Sequence, residues 1–144
     1  MIYKLYGDTY AVRLERGEEV VASIAELCEK EGIRAGTVQG LGAADDATVG
    51  LYSIAEKKYY PTELKGDMEI TALIGNISRQ EGADAPYLHL HITLAKAGGQ
   101  AVGGHLNWAV ISATSELFVR KLPGVIGRFA DPETGLNLTR FDLD

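Results

Sequence analysis

Three histidines, one cysteine and no run of eighteen apolar residues mark this 144-residue chain, and each scarcity excludes something. The lone Cys28 cannot close an internal disulfide, so a reducing cytoplasm is the expected compartment. Without a long apolar run there is no candidate membrane-spanning helix. The opening MIYKLYGDTYAVRLERGE has no basic start followed by an apolar stretch, so no secretory signal is expected. No cluster of four or more Lys/Arg occurs; Lys57-Lys58 and Arg120-Lys121 come nearest. With 14 basic and 20 acidic residues, the net charge is −6. Proteins that bind nucleic acid through phosphate usually carry a basic stripe, so the charge argues against direct, non-specific DNA binding by this chain alone.

What is present fits one domain over residues 1–144. Apolar content of 46% and charged content of 24% are ordinary for a globular protein with a sizeable core. Residues 2–6 and 10–14 read as short strands around Gly7-Asp8. Val20, Val21, Ile24, Leu27 and Cys28 recur every three or four residues, which is one helical face. Glu18 and Glu19 stand at its positive end, and Gly32 is its natural stop. Cys28 on that face reads as a buried structural thiol. From Arg34 onward the chain reads as strands at 37–43, 49–54, 57–64 (broken at Pro61), 68–75, 108–111 and 116–120. Gln80 to Pro86 is a polar loop, and the tail has a turn at 131–135 before a last extended segment. Two close glycines in 37–43 suggest bulges and not a phosphate loop, since no Lys-Ser/Thr follows and no helix opens there. About eight strands with one main helix make an α+β domain around a mostly antiparallel sheet. Its edges need cover, and oligomerisation is one way to supply it.

All three histidines lie within residues 89–105. In Tyr87-Leu-His-Leu-His-Ile-Thr-Leu-Ala95, strict alternation puts Leu88, Leu90, Ile92 and Leu94 on one face and His89, His91 and Thr93 on the other. Residues two apart on a strand lie roughly 6.5–7 Å apart on one face, so two imidazoles can reach one ion. A turn centred on Gly98 would set His105 opposite His91 and Asn107 opposite His89. A two-residue turn at Gly98-Gly99 would slip the register and turn His105 away unless a bulge at Gly103-Gly104 restored it. Three protein ligands leave one position open, as in catalytic or exchangeable sites. Three imidazoles suit Zn²⁺ first, with other divalent transition metals next. Gln39, Glu69 and Asn107 are polar residues on strands that could neighbour the histidines. They are acid/base or supporting candidates if the site is catalytic, and otherwise hydrogen-bonding groups within the sheet.

The segment Gly66-Asp-Met-Glu-Ile-Thr-Ala-Leu-Ile-Gly75-Asn-Ile-Ser, the run His89-Leu-His-Ile-Thr-Leu-Ala and the tetrad Gly103-Gly-His-Leu106 together resemble the PPC domain. This is the plants and prokaryotes conserved domain, also described as a domain of unknown function and as a DNA-binding protein. The resemblance runs from Tyr10 to about Phe141. It implies an α+β fold with a central antiparallel sheet, assembled as a homotrimer. Prokaryotic members imply metal binding through His89, His91 and His105. In plant members the stretch corresponding to Gly66 through Ile70 is associated with partner contacts. The plant minor-groove hook, Arg-Gly-Arg-Pro, is missing here. Three functions therefore stand side by side: a small trimeric metal-binding protein, a metal-dependent enzyme with substrate at the open position, and a regulatory scaffold that meets DNA through a partner.

Overall fold

Long bent strands, not short hairpins, build this protein. Its structure is a computed structural model that describes residues 1–80, 82–83 and 85–141. The elements are β1 (Ile2–Tyr6), β2 (Thr9–Glu15), α1 (Val20–Glu31), β3 (Gly36–Ser53), β4 (Lys58–Arg79), β5 (Pro86–Ala95), β6 (Ala101–Lys121), β7 (Gly127–Ala130) and β8 (Asn137–Arg140). The six-stranded sheet runs β1-β2-β6-β3-β4-β5, and β5 also pairs with the start of β6, so the sheet curls back on itself. All its pairings are antiparallel. The hairpin β7-β8 forms a separate small sheet. Of the expected loop at 80–86, residues 81 and 84 lie outside the described ones.

The α+β expectation holds, but several expected strands are pieces of longer ones. Segments 37–43 and 49–54 are both β3; 57–64 and 68–75 are both β4; 108–111 and 116–120 are both β6. Pro61 does not break β4. It lies opposite Gly50, in a stretch where β4 has a neighbour on one side only, because β5 begins to pair at Glu69. A proline's missing donor is tolerated on such an open edge. The register shift in β3 between Gly40 and Gly42 is the anticipated bulge, and a second, between Ala44 and Asp46, was not read from the sequence. They bend the long strands far enough for β6 to reach both β3 and β5. A side chain on Gly40 would stand 2.3 Å from Leu117 Cδ2 and 2.7 Å from the Glu116 carbonyl, so only glycine allows β3 and β6 to approach there.

The helix covers the concave side. Val20, Ile24, Leu27 and Cys28 are buried against Leu14, Leu73, Ile77, Leu90, Leu94, Ile111 and Leu117. Burial pushes the Cys28 thiol up to about 12, which leaves it protonated and inert at neutral pH. Among the described residues no helix is long and apolar enough to cross a membrane. The helix ends at Gly32, whose left-handed φ of 60° turns its N–H onto the Cys28 and Glu29 carbonyls. Its start depends on Glu19. That carboxylate accepts from the Val21 N–H at 2.9 Å and the Ala22 N–H at 2.6 Å, and from the Ala109 N–H of β6 at 3.0 Å. One side chain thus caps the helix and fastens it to the sheet. Replacing Glu19 with Ala removes three charge-assisted bonds and should lower unfolding free energy by about 1–3 kcal/mol. Urea titration at fixed protein concentration checks this, and a loss no larger than that of Glu26→Ala on the exposed face would refute it.

Candidate metal centre

The hairpin between β5 and β6 decides the site. Ala95 pairs with Ala101, and Lys96 N–H donates to the Gln100 carbonyl at 2.8 Å, so the turn is Ala97–Gly99. Gly98 and Gly99 take φ of 83° and 77°, a region that favours glycine. The turn is therefore centred on Gly98, and of the two registers open to the sequence, the one placing His105 opposite His91 is realised. No bulge is needed at Gly103-Gly104. These two glycines let backbones close in. A side chain on Gly103 would meet the Ile92 carbonyl at 2.2 Å, and one on Gly104 the Gly50 carbonyl at 2.7 Å.

The three imidazoles meet on one face. Ring centroids are 5.1 Å apart for His89 and His91, 5.3 Å for His89 and His105, and 5.6 Å for His91 and His105. One nitrogen from each ring lies within 4.8 Å of the others. The Nε2 atoms of His89 and His91 are 3.2 Å apart. Two ligands about 2.05 Å from a tetrahedral ion are separated by about 3.3 Å, so this pair already has the spacing of a ligand edge. The donor set fits a divalent transition metal: three nitrogens, no fourth ligand among the described residues, and an adjoining cavity. Burial, and then the neighbouring imidazoles, hold the pKa of His89 below its ordinary value, with Arg128 adding a smaller push. Burial and His91 do the same for His105. Both rings are thus biased to the neutral form that metals require.

The surroundings contain residues that the sequence did not single out. Tyr59 donates its hydroxyl to Asn107 Oδ1 at 2.5 Å, and its ring stands edge-on to His105 at 6.1 Å. It gets there by crossing Gly50, where a side chain would lie 2.1 Å from its ring. Asn76 lies opposite His89 on β4 and accepts a bond from Arg128 Nη2 at 2.7 Å. Together with β7-β8 these groups enclose a cavity of about 960 Å³ beside the histidines. Of the three supporting candidates, Asn107 comes closest. The pairing of β5 with β6 ends at His91 and His105, and Asn107 falls in a bulge of β6 against β3, so it does not lie opposite His89, whose partner is Asn76 on β4. Gln39 shares a groove with His89 and His91 but sits two strands from β5, with Ile74 between. Glu69 pairs with Ala95 at the far end of β5 and is not brought to the site. The sequence held no local signal for Tyr59, Asn76 or Arg128, because strand adjacency alone joins them to the histidines.

The profile of the Plants and Prokaryotes Conserved (PCC) domain matches residues 1–123, and the chain belongs to that family. Among solved structures, a Bacteroides thetaiotaomicron protein provisionally assigned as DNA-binding is 33% identical. It superposes with a TM-score of 0.93 over 98% of this chain and 97% of its own. A metal-containing protein from Archaeoglobus fulgidus is 34% identical, with a TM-score of 0.85 over 96% of this chain and 97% of its own. The bifunctional protein GlmU of a Synechococcus strain is 31% identical over 129 residues, which is 88% of this chain but 19% of that protein.

Because the shifts of His89 and His105 are both downward, the folded chain binds fewer protons than the unfolded chain in weak acid. Their contribution to stability is complete above the ordinary imidazole value of 6.5 and is lost as pH falls towards the lowered folded values. Glu18 and Glu31, also lowered, act below their ordinary 4.5, so the window between reports on the imidazoles. Metal-free protein should melt progressively lower as pH drops from roughly 7 to 5. A double His89→Asn, His105→Asn variant with the same pH slope would contradict the assignment.

Proposed function

We propose that the protein is a homotrimeric binder of a divalent transition metal, Zn²⁺ first, held by His89, His91 and His105 with one position open. The observation that carries this is the convergence of the three histidines, one nitrogen of each within 4.8 Å of the others. The similarity to an archaeal protein described as metal-containing supports it. A reducing cytoplasm suits the reading, since Cys28 is a free, buried thiol. Replacing His91 with Ala should abolish stoichiometric metal while leaving the fold intact, because that ring is exposed and makes no core contact. Unchanged metal content by elemental analysis would show that the site is wrong.

The trimer is inferred from the family and from an apolar face. Phe118, Ile74 and Leu41 lie on neighbouring strands of the outer sheet face and are 51%, 59% and 55% exposed. Such a patch in a monomer would favour association. Light scattering should give three times the 15.5 kDa chain mass, and Phe118→Asp should reduce it to one. A wild-type mass of 15.5 kDa at micromolar concentration would sink the claim.

A second reading is a metal-dependent enzyme, favoured by the cavity that the histidines share with Tyr59. Turnover in a hydrolase screen with and without added Zn²⁺ separates it from simple binding. Duplex DNA is not the partner of this chain alone in our reading, because the net charge of −6 opposes approach to phosphate. Titration of labelled duplex at two salt concentrations should give no saturable binding. Micromolar binding that weakens steeply with salt would restore the DNA reading.

A further inference from the structure

Arg128 is the most deeply buried charge near the site, and its partners are all neutral. The residue is 4% exposed. Its Nε donates to Ser78 Oγ at 2.8 Å, Nη1 to the Asn137 carbonyl at 3.1 Å, and Nη2 to Asn76 Oδ1 at 2.7 Å. The guanidinium lies over the Tyr87 ring at 4.6 Å. Among the described residues no carboxylate pairs with it, and none lines the cavity that it faces. A guanidinium has five N–H groups, so the bonds to described residues leave two, one on each terminal nitrogen. A buried charge is costly unless it is compensated, and an anchor for the β7-β8 hairpin needs no charge. Two remaining donors match the two oxygens of one carboxylate.

Away from the histidines, part of the cavity wall is aromatic and aliphatic. Tyr52, Tyr59, Phe129 and Leu138 contribute to its lining, and its volume of about 960 Å³ suits a small organic molecule. The hairpin that brings Arg128, Phe129 and Leu138 lies beyond residues 1–123, the stretch matched by the family profile. The histidines and the hairpin are thus separate contributions to one cavity. We propose that this cavity binds a small aryl or similarly apolar carboxylate, with its charge on Arg128 and its body against the aromatic lining. This site does not depend on an ion at the histidines. Where an ion is present, the ligand lies within the same cavity.

Benzoate is the probe. It should bind metal-free, ¹⁵N-labelled protein saturably and shift the Arg128 Nε–H signal. Arg128→Gln and Arg128→Lys should weaken it by at least about tenfold, and neutral benzamide should bind wild type weaker by a similar factor. The Nε–H readout on wild type decides the matter even if neither variant folds. Saturable binding in His91→Ala would separate this site from the metal reading. Absence of benzoate binding in both metal-free and zinc-loaded protein overturns the proposal. So does binding only to zinc-loaded protein with the Arg128 signal unmoved, an outcome that leaves the metal reading standing.

Discussion

A slip of one residue between β5 and β6 would carry His105 to the opposite face of the strand. Side chains alternate with a period of two, so register is all-or-none for a shared site. Everything at the candidate centre depends on this pairing, which is fixed twice over. The turn over Ala97–Gly99 sets it locally through two glycines at positive φ. The burial of Leu90, Ile92 and Leu94 sets it globally, since the slipped register would expose them or strip their partners. The histidines occupy the face left over by that core. Their convergence is a by-product of where the leucines must go.

Closure of the sheet is the second constraint. β6 pairs with β5 at its start and with β3 over nearly all the rest of its length, and His105 is the residue that touches both, opposite His91 and Gly50. Such a junction crowds three backbones, which explains why glycines 50, 103 and 104 meet there. Gly50 serves twice, as a close neighbour of β6 and as the gap through which Tyr59 reaches Asn107 and His105.

How much of this was legible follows from sequence distance. The HLH alternation, the Gly98-centred turn and the helix from Val20 with its Gly32 stop are local, and local rules read them. Long strands were cut into pieces because glycines and Pro61 look like breakers until one knows which edges are open and where a bulge is wanted. Glu69 seemed a neighbour of the histidines because it lies on an adjacent strand, but it pairs four positions along β5 from His91. Arg128 was invisible for the opposite reason. Its bonds to Ser78 and Asn76 span 50 and 52 residues of chain, and nothing in the segment Gly127-Arg-Phe-Ala announces them.

The electrostatics of the cavity run against the sign of the whole chain. A net charge of −6 is spread over the surface, yet the cavity is lined by three imidazoles and one guanidinium, with no carboxylate among its described residues. Burial first, and the neighbouring imidazoles second, bias His89 and His105 to be neutral, with Arg128 adding a smaller push at His89. The local sign also sets a condition on any dication held there. A metal on three neutral ligands would keep its full charge, and the Arg128 cation, close enough to be felt at His89, would repel it. A negative ligand in the open position or at Arg128 relieves that repulsion, so metal and anion would each favour the other's binding. The coupling is reciprocal by thermodynamic necessity. For a ligand that reaches Arg128, the local charge therefore favours an anion over a neutral or cationic molecule of the same shape.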